Sequence, residues 1–264
     1  MKVPESGFHR MPGEGLWGGD CYRFETLPST NAWAMANSGK LAHGDIVWTL
    51  FQSRGKGRLD RQWDSRPNKV LTLSVILRRP VSGMITSPGQ LAALAVRRLL
   101  QEKGVPALVK WPNDILTQGM KKIAGILVNA NPRQNLAVLG IGLNVNLDES
   151  DLKSLSLNGQ AASLYLVTKQ SFSLDKLRVS LCRQIMSCWH DNETGTVNLF
   201  AEWSDHDALD NMMIEVRTHQ GVRSGLYQGL DSQGRLVLID DRDGPHFFWS
   251  GDVERVRPYT RNTE

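Results

Sequence analysis

Between Cys21 and about Asp210, short apolar runs alternate with segments in which apolar residues recur every three or four positions. The first pattern is that of strands and the second that of helices, so this region reads as a mixed α/β or α+β domain. DIVWTLF at 45–51 and the run 70–77 predict strands, and ALVKW at 107–111, KIAGILVNA at 122–130 and LAVLGIGLNVN at 136–146 predict three more. Gly119, Pro132 and Asn135 mark the turns between the last three. Ser29 or Thr30 caps a short helix that runs through Met35 and stops at Gly39. Ser87 and Pro88 open a longer helix, in which Leu91, Leu94, Ala95, Leu99 and Leu100 share a face and which Gly104 ends. Further helical segments are expected at about 174–190, capped by Ser173, and at 196–204.

After Asp210 the pattern changes to short strands, MIEVR, GLYQGL, RLVLID and HFFWS, separated by the turn signals DSQG and DRDG. A segment of this length and kind predicts a small β-barrel, marginal alone and therefore packed on the larger domain. The first twenty residues, rich in Gly, Pro and acidic residues, read as a flexible lead-in without the apolar core of a secretory signal. The expected organisation is a lead-in at 1–20, a main domain at 21–210 and a small domain at 211–264.

Composition narrows the function classes. No stretch approaches the roughly 20 apolar residues needed to span a bilayer, so no membrane partner is expected. Cys21, Cys182 and Cys188 are odd in number and lack metal or disulfide spacing, which fits a reducing cytoplasm. The six histidines are scattered, with no pair at metal-binding spacing. A net charge of +4 raises a nucleic-acid partner, but six basic and two acidic residues between Gln52 and Lys69 carry the whole excess. Such concentration points to a local anion site.

That loop reads QSRGKGRLDRQWDS at 52–65. Gly55 and Gly57 let backbone approach a ligand, while Lys56, Arg58 and Arg61 supply cations for phosphate and carboxylate groups. The same residues also suit a mobile basic surface loop. Two other segments accompany it: STN at 29–31, which by itself is a helix cap, and KWPNDIL at 110–116, continuing into KKIAGILV and GIGLNVN.

In order and spacing these segments resemble the biotin protein ligases over about residues 21–147, and the β-rich tail is similar to that family's small C-terminal domain. The resemblance implies an α+β fold, a mixed β-sheet flanked by helices related to the lipoate ligases and class II aminoacyl-tRNA synthetases, with a C-terminal SH3-like barrel. It implies that biotin and ATP form biotinyl-5′-AMP with Mg²⁺ screening the phosphates, and that a lysine of a biotin carboxyl carrier protein then takes the biotin.

The resemblance also places residues. Ser29, Thr30 and Asn31 are expected at biotin, whose ureido ring offers one acceptor and two donors suited to short polar side chains. Gln52 is expected to hydrogen-bond biotin, and Gly55, Lys56, Gly57 and Arg58 to line the biotin and adenylate site. Arg61 and Trp63 are expected to help the loop close over the nucleotide. Lys110 is the expected catalytic cation, since biotin's carboxylate must approach the α-phosphate and two anions repel unless a positive charge stands between them; Arg58 assists it. Asn113 is expected at the nucleotide, Asp114 at Mg²⁺, and Asn144 at the adenylate or, alternatively, satisfying backbone groups at its strand end. Gly125 marks either close approach to biotin or a bulge. Trp33 and Trp111 are expected in the core.

Two rivals accompany this reading. A lipoyl or octanoyl transferase would use the same fold with a different acyl group. A biotin-sensing DNA-binding regulator would need a helix-turn-helix domain, for which about twenty residues ahead of the first predicted strand are too few, so no operator binding is expected. Oligomeric state stays open, with a homodimer among the options.

Overall fold

The computed structural model describes residues 7–78, 83, 85, 87–157, 159–240 and 244–258, without the side chains of Asp60 and of residues 254–258. An eight-stranded mixed sheet forms the centre. Its strands are β1 (Phe8–Met11), β2 (Cys21–Leu27), β3 (Ile46–Gln52), β6 (Val70–Leu77), β7 (Ala107–Lys110), β8 (Asp114–Thr117), β9 (Lys122–Asn131) and β10 (Leu136–Asn144), in the spatial order β1-β2-β3-β6-β10-β9-β8-β7. Among the described strands only β2 and β3 pair in parallel; their connection carries α1 (Thr30–Ala36). Strands β4 (Gly55–Lys56) and β5 (Gln62–Trp63) make a separate small hairpin from the basic loop.

Alternation along the strands assigns the two faces. Leu71, Leu73 and Val75 of β6 and Leu139, Ile141 and Leu143 of β10 join the main core with α2 (Pro88–Glu102) and α5 (Leu174–Thr194). The opposite face carries Thr72, Ser74 and Ile76, with Val138, Gly140 and Gly142 beside them. Trp33 and Ala34 of α1 cover one end of this face through a second apolar cluster with Val47, Ile76 and Val138. The two glycines of β10 leave the rest of it open.

Helix starts follow the capping expectations. Ser29 Oγ accepts from Ala32 N–H at 3.4 Å, Ser87 caps α2 with Pro88 at its first turn, and Ser173 caps α5. Short helices α3 (Glu149–Ser154) and α4 (Leu164–Thr168), and α6 (Leu199–Ser204), complete the main region. Trp33 and Trp111 are buried, as expected.

Two expectations need correction. Residues 8–18 are structured, not a flexible lead-in: β1 pairs with β2, and Leu16 is fully buried. Residues 1–6 of that segment lie outside the described residues. The tail, β11 (Met212–Thr218), β12 (Gly221–Leu230), β13 (Leu236–Asp240), β14 (Gly244–Phe248) and β15 (Asp252–Pro258), forms a five-stranded antiparallel sheet ordered β14-β13-β12-β11-β15. This SH3-like sheet is not closed into a barrel. Of the expected DRDG turn, residues 241–243 lie outside the described residues. Ile214, Val216, Tyr227, Leu236, Leu238 and Val253 belong to the same apolar core as α2 and α5, so the tail is packed on the main region.

Candidate active site

The open part of the sheet holds a cavity of about 360 Å³. Its floor is one rung across the sheet: Thr72 of β6 stands opposite Gly142 of β10, Gly142 opposite Gly125 of β9, Gly125 opposite Asp114 of β8, and Asp114 opposite Lys110 of β7. Two adjacent glycines create a trough where side chains would otherwise stand. Trp63 lies over it: a Cβ at Gly142 would come 2.6 Å from Trp63 Cζ2, and one at Gly125 would come 3.2 Å from Trp63 Cζ3.

One end of the cavity is a buried polar network. Gln52 Oε1 accepts from the Thr30 backbone N–H at 2.7 Å and from the Thr30 hydroxyl at 3.1 Å. The Ser74 hydroxyl lies 2.7 Å from Thr30 Oγ1 and 2.5 Å from Asn31 Oδ1, while Asn31 Nδ2 donates to Leu127 O and Asn129 Oδ1 at 3.1 and 2.8 Å. Asn31 therefore rests on Gly140, where a Cβ would strike its amide. The backbone donor fixes the orientation of the Gln52 amide. Among the described residues, nothing takes the two hydrogens of Gln52 Nε2 or the hydroxyl hydrogen of Ser29, so this end is pre-oriented and presents donors.

The other end is cationic. The basic loop folds as the β4–β5 hairpin, closed by Gly57 N–H to Arg61 O at 2.7 Å. Gly55 packs where a Cβ would lie 2.8 Å from Gln52 Nε2, and Leu59 at the tip has φ 51°. Lys56 is exposed and Arg58 half-buried. Arg58 Nη1 donates to Gly251 O at 3.1 Å and to Asn113 Oδ1 at 3.4 Å, and Arg61 pairs with Asp252. Burial lowers the Arg58 pKa against the opposing pull of Asp252 and Asp114. The turn between β14 and β15 thus reaches the cavity, whose lining includes Asp252 and Val253.

Lys110 lines the cavity at the end of β7, followed by a cis Trp111–Pro112 peptide. Asn113 Nδ2 donates to Ile126 O at 2.8 Å. Asp114 pairs with Lys122 Nζ at 2.5 Å, and the same ammonium lies 5.6 Å from the centre of the Trp63 ring. Asp114 is a carboxylate at the cationic end that would offer one oxygen ligand to a magnesium ion, whose charge would screen the phosphates of a nucleotide. Among the described residues no group of three or more His, Cys, Asp or Glu gathers to hold a metal without such a ligand.

Most of the expected residues therefore meet here: Ser29, Thr30, Asn31, Gln52, Lys56, Gly57, Arg58, Arg61, Trp63, Lys110, Asn113, Asp114 and Gly125 all line the cavity. Gly55 stands just behind the lining, supporting Gln52 and Trp63. Asn144 does not line it: the side chain is 4% exposed and donates to Ala162 O at 3.0 Å, satisfying backbone as its alternative reading held. The sequence reading did not single out Lys122, Asp252 or Val253. Lys122 escaped because a bulge interrupts β9: Leu116 faces Lys122 while Ile115 faces Ala124. Strict alternation would put Lys122 and Gly125 on opposite faces; the extra residue puts them on the same one.

Residues 22–146 match the model of the biotin/lipoate A/B protein ligase family. Among curated proteins, the chain is similar to the bifunctional ligase/repressor BirA of Bacillus subtilis (strain 168), with 29% identity over 87% of this chain and 72% of the relative. It is also similar to the biotin–[acetyl-CoA-carboxylase] ligase of Mycobacterium tuberculosis (strain ATCC 25618 / H37Rv), at 29% identity over 80% of this chain and 79% of that one. Among solved structures, the biotin protein ligase from Aquifex aeolicus in complex with biotin and ATP superimposes with a TM-score of 0.74 at 21% identity, covering 90% of this chain and 98% of that one. That likeness is one of fold.

Proposed function

We infer that this chain is an ATP-dependent biotin protein ligase of the biotin/lipoate A/B protein ligase family. The observation that carries the reading is the polarity of one cavity: hydrogen-bond donors on a buried network at one end, cations at the other, and a glycine floor between them.

Biotin fits this polarity with its ureido ring at Ser29 and Gln52 and its carboxylate towards the cations. Gln52 Nε2 and the Ser29 hydroxyl donate to the ureido carbonyl. The valeryl chain crosses the trough under Trp63. At the far end Lys110 and Lys122, on either side of Asp114, hold the carboxylate against the α-phosphate and oppose the charge that grows there during attack. A carboxylate oxygen bonds to the α-phosphorus and pyrophosphate leaves, giving biotinyl-5′-AMP. Arg58 and Arg61 hold the adenylate phosphate from the loop, and Asn113 orders Arg58. In the second half-reaction a neutral lysine amine of the acceptor attacks the acyl carbon, AMP departs, and an amide remains. The acceptor is the biotin carboxyl carrier protein of acetyl-CoA carboxylase, which two similar ligases carry in their names.

A lipoyl or octanoyl substrate suits this cavity less. Its far end has no carbonyl, so the Ser29 and Gln52 donors would be buried against hydrocarbon or sulfur and left unpaired, at a cost of about 1–3 kcal/mol each. Purified protein mixed with ATP, Mg²⁺, a biotin carrier domain and either biotin or lipoate tests the reading. Carrier mass should rise by one biotinyl group with biotin only; labelling with lipoate in preference would overturn it.

A further inference from the structure

The C-terminal sheet supplies part of the cavity wall, so whatever seats that sheet also sets the site. Beyond the shared apolar core, the described polar contacts of its seat are few. Gln90 of α2 donates to Gly234 O at 2.7 Å in the β12–β13 turn. Arg58 and Arg61 hold its 251–252 end from the hairpin, and a further seat is Asp207. Its Oδ2 accepts from Trp203 Nε1 of α6 at 2.9 Å and from Tyr227 Oη of β12 at 2.5 Å, and its Oδ1 accepts from Leu209 N–H at 2.9 Å. Both aromatic partners are almost wholly buried. Burial pushes the Asp207 carboxyl up to about 6 and the Tyr227 phenol well above its usual value.

The backbone on either side of Asp207 has a second attachment. Val109 N–H donates to His206 O at 2.9 Å, and Ala208 N–H donates to Val109 O at 2.8 Å, so residues 206–208 extend the main sheet along the outer edge of β7. Val109 immediately precedes Lys110. From Tyr227 the path runs the other way: β12 pairs with β11 and β11 with β15, whose first residues are Asp252 and Val253. One inward-facing carboxylate therefore joins the strand that delivers Lys110 to the sheet that delivers Asp252.

We propose that Asp207, with Tyr227, is a positioning residue for the nucleotide half of the site, holding the β15 wall and the end of β7 in register although neither side chain lines the cavity. A surface helix-to-strand linker would not need a half-buried carboxylate bonded from three directions; an apolar contact would seat the sheet at less desolvation cost. What hydrogen bonds add is a fixed direction and depth. The biotin end rests on α1, β3 and β6, which none of the described hydrogen bonds of Asp207 and Tyr227 reaches, so the two ends of the cavity separate in their response.

The inference rests on the ligase reading, and its test has one arm that does not. Tyr227→Phe keeps the ring and removes only the hydroxyl; Asp207→Asn is the companion variant. In the full-length protein without substrates, amide hydrogen exchange at 251–253 and at 109–111 should quicken by roughly tenfold in Tyr227→Phe, the opening expected from losing one bond to a charged group. In adenylate formation KM for ATP should rise several-fold with biotin binding unchanged. A merely structural bond would lower the melting temperature and leave these two readouts alone. Unchanged exchange at 251–253 in a folded variant overturns the proposal, as does an equal loss of biotin and ATP affinity. Should the wild-type protein make no adenylate, the ligase reading fails while the exchange arm still decides this one.

Discussion

Trp63 rests on Gly142. The indole lies across a glycine of β10 and its cross-strand glycine neighbour on β9, so the width of the trough is set by the absence of two side chains. Its Nε1 is buried without a hydrogen-bond partner among the described residues. A methyl group at Gly142 must push the ring towards the ligand. Gly142→Ala should therefore fold, since alanine is tolerated in a strand, yet weaken biotin binding by roughly ten- to a hundredfold, the 1–3 kcal/mol typical of overpacking. Calorimetric titration with biotin measures it; an unchanged dissociation constant would show that Trp63 moves away freely.

Two lysines flank Asp114, and their roles separate by substitution. Each is predicted to act mainly where carboxylate and phosphate are brought together, so Lys110→Ala and Lys122→Ala should both lose adenylate formation far more than biotin binding. For Lys122, above Gly125 and beside Trp63, the expected loss is roughly a hundredfold or more. Pyrophosphate release assays with parallel biotin titration check both. If pyrophosphate release in Lys110→Ala stays near wild type, Lys122 alone is the cation.

Much of this site was legible because its residues fall in contiguous motifs, and the parts that were not have physical causes. The capped α1 and the β3 end bring Ser29, Thr30, Asn31 and Gln52 together through local structure that the pattern of residues already encodes. Lys122 was hidden by the β9 bulge, which breaks the alternation on which facing was judged. Asp252 lies about 190 residues from Arg61 in sequence, and an ion pair across that separation leaves no local trace. Strand β8 was read as part of a motif, being only four residues long, and β1 was obscured by the glycines around it. Asn144 shares the face of Gly142, but the 161–162 segment covers it, and a period-two reading cannot see a covering loop.

Removing residues 212–264 should both expose apolar surface and cost activity. Ile214, Val216, Leu236 and Leu238 are completely buried against the main core, and the cavity loses the Asp252 and Val253 wall together with the partners of Arg58 and Arg61. The truncated protein is expected to bind a hydrophobic dye, aggregate more readily and lose most adenylate formation. A soluble truncation with unaltered turnover would show that the sheet is dispensable.

The basic loop departs from the common pattern of the family it resembles, GRGRxGR, in reading GKGRLDR, with Lys56 for an arginine and Asp60 for a glycine. The Asp60 side chain lies outside the described residues. Lys56 is exposed at the start of the hairpin, where a lysine would attract phosphate as a point charge without the paired bonds of a guanidinium. Arg58 is different: its guanidinium reaches inward between Asn113 and the Gly251 carbonyl, bridging the hairpin to KWPND on one side and to the C-terminal sheet on the other. Arg61 fastens the same hairpin to Asp252. With Arg58 in place the loop is expected to stay over the adenylate and shield the mixed anhydride from water and stray amines. Arg58→Ala removes that bridge and a phosphate donor together. It should still form biotinyl-5′-AMP but release it, labelling bystander lysines, whereas Lys56→Arg should be tolerated and slow any leakage by adding a bidentate donor. Free adenylate after a single turnover, and biotin on an unrelated protein added to the mixture, measure both effects. Tight retention by Arg58→Ala would mean that the Arg61–Asp252 pair holds the loop closed by itself, which the double variant with Asp252→Asn would then have to abolish.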